Sequence, residues 1–308
     1  MVRKTVIVAD PGIDGAFAIA LALRDPDLEV LGLAAAPGNV SADQATRNMQ
    51  ILVEQFDPPR WPRMGKAIPV TYDVEGSRLH GPTGLGAAEI PCAQLHHQHL
   101  SDKLLIDLVR QHPGEVTVLC LGPLTTVARA FDRDPELPGL LQRLVVVGGT
   151  WHEPGNASPV AEFHFYCDPH AARQVLQSRI PITLVPLDIT RKLILSPTEL
   201  DDLLAENTAA CRFLRQIIPY GIRMSCNLYG IEGFHLKDVM GLIAVSLPSA
   251  LTTKAYPVDV ETKGELTRGM SVIDSRPHTN ETANVDVAVA VDVPPIREHM
   301  RRLLSRSS

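Results

Sequence analysis

The chain has no CxxC pair, no GxGxxG run after its first strand, no long apolar run and no block of basic residues, and each absence removes a class of function. Its five cysteines, Cys92, Cys120, Cys167, Cys211 and Cys226, are odd in number and scattered, which fits neither a disulfide framework nor a zinc knuckle. They read as reduced thiols filling the core. The missing glycine fingerprint excludes dinucleotide binding of the Rossmann type, and Pro11 and Gly12 leave no second aspartate for a DxDxT phosphatase. The first apolar run, Thr5–Ala9, ends at Asp10 and is too short for a signal peptide or membrane span, so a soluble, cytoplasmic protein without a membrane partner is expected. With 29 basic against 35 acidic residues and a net charge of −6, no stretch tracks a phosphate backbone, and nucleic acid is not an expected partner. Aromatic residues make up only 5% of a chain that is 45% hydrophobic, so the core must be aliphatic.

What is present is an alternation. At 308 residues the chain can bury a large core, and a single domain over 1–308 is expected. The pattern predicts a strand at Thr5–Ala9, a helix at Asp14–Arg24, a strand at Leu28–Ala36 and a helix at Ser41–Gln55. It continues with a helix near Leu104–Gln111, a strand at Val116–Leu121, a helix from Leu124, a strand at Arg143–Val147, a helix from Pro169 and a strand at Ile182–Leu187. This order predicts an α/β fold with a mostly parallel central sheet flanked by helices. Beyond Pro197, helices near Glu199–Ala205, Ala209–Ile217 and Val239–Ser246 and strand-like runs at Ala255–Glu261 and Val285–Val291 are expected to flank or cap that sheet. Pro295–Leu304 reads as a surface helix, and Asp57–Met64 and Ser275–Thr282 read as loops.

Small and acidic residues gather just after strand ends, where open parallel sheets bind ligands. Asp10–Gly15 follows the first strand, Pro37–Asn39 the second, and Gly122–Thr125 and Gly148–Thr150 two later ones. Asp10 and Asp14 straddle a Pro-Gly turn at a helix start, where free amides favour negative charge. Asp14 suits an N-cap as well as it suits chemistry. His96, His97 and His99 form an HHxH group that reads as a solvated loop rather than a metal site.

Ordered blocks carry a resemblance. VIVADPGIDGA at Val6–Ala16, Gly38-Asn39-Val40 with Asn48, and His80-Gly81-Pro82-Thr83-Gly84-Leu85-Gly86 are followed by Gly122-Pro123-Leu124-Thr125. Then come Gly155-Asn156 through Glu162-Phe163, Asp168-Pro169, Leu187-Asp188-Ile189-Thr190, and Asp238 within Phe234–Gly241. Together they resemble the inosine–uridine-preferring nucleoside hydrolases. The resemblance implies a nucleoside or related N-riboside as substrate, a calcium ion as cofactor, and a homodimer or homotetramer. It implies Asp10, Asp238 and the Thr125 carbonyl as calcium ligands, and Asp14 as the base that activates water. Asn156, Glu162 and Asn39 would line the ribose pocket, with Phe163 as its apolar wall.

Four positions depart from the family pattern. Gly15 stands where the family has a further metal-binding aspartate, and Val8 replaces an aspartate two positions before Asp10. Lys237 replaces the histidine associated with the departing base; lysine is a weak proton donor near neutrality, and its charge opposes a cationic sugar. His164 replaces an asparagine that binds ribose. His235, two residues before Lys237, is a candidate for the base pocket, as are Tyr220, Arg223 and Tyr229 for a cover over the nucleobase. Two readings follow: an N-ribosyl hydrolase working through Asp14 and Lys237 with calcium held weakly, or a ribose-binding homologue lacking an effective metal site.

Overall fold

The computed structural model describes residues 2–306 apart from 75, 77, 94–98 and 278. The first half of the chain is β1 (Arg3–Ala9), α1 (Ile13–Arg24), β2 (Leu28–Ala35), α2 (Ala42–Phe56), β3 (Arg63–Lys66), β4 (His99–Leu100), α3 (Ser101–Gln111), β5 (Val116–Leu121), α4 (Thr125–Arg133), α5 (Leu137–Leu140) and β6 (Arg143–Val147). It continues with α6 (Phe163–Cys167), α7 (Pro169–Leu176), β7 (Ile182–Val185), α8 (Leu187–Thr190), β8 (Ile194–Leu195), α9 (Pro197–Leu203), α10 (Ala209–Tyr229), β9 (Phe234–His235) and α11 (Lys237–Ser246). The last elements are β10 (Leu251–Tyr256), β11 (Val258–Val260), β12 (Ser271–Ile273), β13 (Val285–Val291) and α12 (Val293–Ser305).

Among the described residues nine strands form one sheet in the order β10-β13-β7-β6-β5-β1-β2-β3-β4. All neighbours run parallel except β10 against β13. Strand β1 is flanked by β2 on one side and β5 on the other, so the chain reverses its direction of travel across the sheet there. The connections after β1 and β5 therefore diverge and open a crevice at the carboxyl ends, the usual ligand position in such sheets. The period-two alternation of β1 divides the core: Ile7 and Ala9 pack with α1, α2 and α11, while Val6 and Val8 pack with α3, α4 and α7.

The expected α/β architecture is present, and several boundaries differ for identifiable reasons. Val285–Val291 and Leu251–Tyr256 extend the main sheet rather than capping it. Pro257, which cannot donate to a ladder, splits the expected Ala255–Glu261 strand, and the second part pairs with β12 in a separate ribbon. Arg63 and Met64, expected in a loop, begin the edge strand β3, whose polar sequence gives no strand signal but whose backbone pairs with β2. Helix α10 runs twelve residues past the expected Ile217 and through Pro219, because its buried face continues as Ile218, Gly221 and Ser225. Gly221 is required there: a Cβ would lie 2.6 Å from the Phe234 ring. Gly230 ends the helix in the left-handed conformation. Asp14 is not the N-cap of α1; Gly12 holds that position, and Asp14 is the second helical residue. Cys120, Cys167 and Cys211 are buried as expected of core thiols, whereas Cys92 is half-buried and Cys226 exposed. His99 lies in β4, while His96 and His97 fall outside the described residues. No helix among the described residues is long and apolar enough to cross a membrane.

Candidate active site

A cavity of about 380 Å³ opens at the carboxyl end of the sheet. Eight of the residues singled out in the sequence line it: Asp14, Asn39, Asn156, Glu162, Phe163, His164, Lys237 and Asp238. They come from five separate segments, each held by its own local logic. The first turn of α1 supplies Asp14, and the Ala36–Ser41 connection supplies Asn39, whose backbone N–H donates to Asp10 Oδ2 at 2.7 Å and whose Nδ2 donates to the Asp10 carbonyl at 3.2 Å. Glu162 caps α6: its Oε2 accepts from the N–H groups of Gly149, His164 and Phe165, which leaves Oε1 without a backbone donor. Asn156 accepts from the Phe163 N–H through Oδ1, so its amide NH₂ is available to a ligand. Asp238 and Lys237 open α11.

Asp10 lies beneath the cavity floor and is 1% exposed. Its seat is made by glycines: a Cβ at Gly38 would meet Asp10 Oδ2 at 1.9 Å, and one at Gly122 would meet Oδ1 at 3.1 Å. Oδ1 has no hydrogen-bond partner among the described residues. Burial pushes the Asp10 carboxyl up to about 7 against the opposing pull of His164, and the neighbouring Asp14 raises it further. Burial also raises the Asp238 carboxyl well above the usual carboxylate range, Asp14 and Asp10 add to the effect, and Lys237 opposes it.

Two imidazoles sit on this acidic floor. His164 Nδ1 is 3.1 Å from the Val147 carbonyl, which can only accept, so Nδ1 carries a proton and Nε2 faces Asp10 Oδ1 at 3.7 Å. Burial disfavours the charged ring, but Glu162 and Asp10 outweigh it and raise the His164 pKa. His80 shows the opposite tautomer, since Nδ1 accepts the Ile13 N–H at 3.1 Å and Nε2 is 3.7 Å from Asp14 Oδ1. Burial lowers its pKa, with Asp14 opposing and Lys237 adding to the fall. Gly12 makes room for this ring, as a Cβ there would lie 2.8 Å from it.

The remaining candidates divide. Thr125 starts α4 and does not itself line the cavity; its hydroxyl donates to Asp168 Oδ2 at 2.7 Å and meets Tyr72 OH at 2.9 Å. His235 is buried in β9 outside the wall, with its pKa lowered to about 4 by burial, Lys237 and Arg191. Tyr229, half exposed at the end of α10, lines the cavity with Leu228. Tyr220 instead packs over Gly86 with Arg223 5.3 Å from its ring centroid. The LDIT block is structural in part: Asp188 accepts from the N–H groups of Trp151, His152 and Glu153 and fixes the loop that leads to Asn156. Sequence reasoning gave no role to His80 and none to Arg78, which also lines the cavity; the HGPTGLG motif was the available signal.

The carboxylates of Asp10 and Asp238 are hard donors of the kind a divalent cation takes, and Asp10 Oδ1 lacks a hydrogen-bond partner, but the described residues contain no group of three or more His, Cys, Asp or Glu placed to hold a metal. The donor number is short at Gly15, whose missing Cβ would stand 3.0 Å from Asp238 Oδ2. Val8 is fully buried in the apolar cluster and offers no polar atom.

The comparisons with known proteins agree with the fold. Residues 6–298 match the family described as inosine-uridine preferring nucleoside hydrolase. The chain is 33% identical over 298 residues to the inosine-uridine preferring nucleoside hydrolase of Leishmania major, covering 95% of this chain and 94% of that protein. It is 33% identical over 316 residues to uridine nucleosidase 1 of Arabidopsis thaliana, covering 99% and 94%. Among solved structures, a purine-preferring ribonucleoside hydrolase from Gardnerella vaginalis superposes with a TM-score of 0.90 at 26% identity, covering 98% of each chain. Fold, ordered motifs and near full-length matches lead to one assignment: the chain belongs to the inosine-uridine preferring nucleoside hydrolase family.

Proposed function

We propose that the protein hydrolyses the N-glycosidic bond of ribonucleosides or related N-ribosides to free base and ribose. The observation that carries this reading is the convergence of Asp14, Glu162, Asp238 and Asn156 on one cavity large enough for a nucleoside. Glycosidic cleavage passes through an oxocarbenium-like sugar, and a floor of carboxylates stabilises developing positive charge at C1′. The Glu162 Oε1 and the Asn156 amide, both without competing backbone bonds, offer an acceptor and a donor to ribose hydroxyls, with Asn39 and His164 beside them.

In the proposed step a water oxygen bonds to C1′ as the C1′–N bond breaks, the electron pair leaves with the base, and Asp14 takes the water proton. His80 Nε2 beside Asp14 helps to hold that carboxylate. Phe163 and Tyr229 limit access of further water and present rings to the base. Lys237 stabilises the electron pair that the departing base carries. Asp10, Asp238 and the Thr125 carbonyl would hold a calcium ion, which when bound would fix the ribose hydroxyls and acidify a water. A cytoplasmic homo-oligomer is the assembly that the family resemblance suggests.

The alternative is a ribose-binding protein without turnover, favoured by the absent side-chain oxygen at Gly15. Ribose release from purine and pyrimidine nucleosides, with and without a chelator, decides between them. Release from at least one is expected; tight binding of nucleosides without release from any supports the alternative.

A further inference from the structure

Two cationic side chains line the cavity without an ion pair to its acidic floor among the described residues, although the charge of Lys237 is felt at the neighbouring Asp238. The ion pairs on that floor join His80 to Asp14 and His164 to Asp10 and Glu162. Lys237 and Arg78 line the same cavity, and neither side chain has a hydrogen bond or ion pair among the described residues. Lys237 is half-buried and Arg78 exposed, so the two charges are presented to the cavity and its mouth rather than sequestered. Both line this one cavity, Arg78 from the short 3-10 turn that also carries His80 and Lys237 from the start of α11. Lys237 is also the first residue of α11, where the helix dipole disfavours a cation, so its placement adds nothing to fold stability.

The ribose-binding side of the cavity is acidic, and a neutral nucleobase, whose departing electron pair engages Lys237, offers nothing to a second cation such as Arg78. We propose that the preferred substrates are N-ribosides whose aglycone bears an anionic group, such as a ring carboxylate, read by Lys237 and Arg78. A lysine and an arginine supply a point charge and a planar fork, the combination that binds a carboxylate with both strength and direction. The proposal rests on the riboside reading of the site and narrows it to a substrate class. It also accounts for Lys237: a fixed positive charge that opposes a cationic sugar becomes favourable when an anionic leaving group lies between them.

The test uses a pair of probes that differ only in that charge, nicotinic acid riboside and nicotinamide riboside. Both kcat/KM for ribose release and Kd by calorimetry are measured on the wild-type protein, on Lys237→Met, Lys237→Arg and Arg78→Met. The carboxylate is expected to be preferred over the amide about tenfold or more. Lys237→Met and Arg78→Met should each reduce that ratio, and Lys237→Arg should keep most of it. Thermal midpoints identify any variant that has simply unfolded, and Arg78, being exposed, provides the safer second arm. Equal use of the two ribosides, or a preference that survives both methionine variants, overturns the proposal while leaving hydrolysis intact. Tighter binding of the acid without cleavage of either riboside supports it and removes the hydrolase reading. A third probe, nicotinic acid riboside 5′-phosphate, locates the anion: a gain that requires the phosphate, with no carboxylate preference, assigns the cations to the sugar and overturns the proposal.

Discussion

Asp10 and Asp102 both follow strands of the same sheet, and both have almost no exposed surface. Around Asp102 every demand is met: Oδ1 accepts the Lys103 N–H at 2.8 Å, Oδ2 accepts from Arg133, and Arg129 stands 3.8 Å away. Around Asp10 only one oxygen is hydrogen-bonded, by the Asn39 N–H, and Oδ1 has no hydrogen-bond partner among the described residues. The nearest cationic group is an imidazole at 3.7 Å. A buried charge that serves the fold is paired, because an unpaired one costs several kcal/mol. A buried acid with a single imidazole as ion-pair partner, one oxygen without a hydrogen bond and a seat cleared by Gly38 and Gly122 is kept for something that binds.

The contrast can be sharpened by variants whose effects differ in kind. The largest effect is expected at the cavity: Asp14→Ala should lower ribose release by about 10³-fold with little change in unfolding midpoint. Activity within a few fold of wild type would remove Asp14 from the reaction. Next is Arg133→Ala, which strips the main partner from Asp102 and should lower stability by about 2–4 kcal/mol in urea titration without altering nucleoside affinity. A loss of nucleoside affinity in that variant would mean that the two buried acids are not separate in function. The smallest effect is expected for Gly15→Asp, which returns a carboxylate beside Asp238. Calcium affinity should rise about tenfold or more by titration calorimetry, and the variant should melt lower than wild type unless calcium is present. Unchanged calcium affinity would contradict a cation site at Asp10 and Asp238.

How far the sequence disclosed this contrast follows from what each feature depends on. The β1–α1 segment was legible because its chemistry is local: a buried strand, then Asp10, Pro11, Gly12 and Asp14 in one turn. The glycines at 38 and 122 were visible as loop residues, but their purpose, making room for one carboxylate, depends on strands that meet only in the sheet. His80 and Asp14 are 66 positions apart, and the tautomer that turns Nε2 toward Asp14 depends on a bond to the Ile13 backbone that no pattern encodes. His164 could be recognised as a departure, yet its approach to Asp10 is set by the Val147 carbonyl. The misread elements have the same origin. Strands β3 and β4 are short and polar, and exist because a neighbour offers a ladder; α10 outlasts Pro219 because its buried face does.

The claim that Asp10 is a buried acid kept for function is tested most directly by Asp10→Asn, with stability across pH measured in the presence of a chelator and ribose release measured on the same preparation. The amide retains an acceptor for the Asn39 N–H and removes the charge. In the wild type the folded state holds the Asp10 proton up to about pH 7, whereas the unfolded chain loses it near 4. Asp10 therefore lowers stability progressively as pH rises from about 4 to 7, by an order of 4 kcal/mol at most. Asp238 acts in the same direction, while His235, lowered to about 4, acts in the opposite one between 4 and 6.5, so only the difference between variant and wild type isolates Asp10. The account predicts that Asp10→Asn is inactive yet gains stability relative to wild type as pH rises from 4 to 7, keeping that gain at pH 8. A variant that is less stable than wild type at pH 8, or that still releases ribose at the wild-type rate, would contradict it.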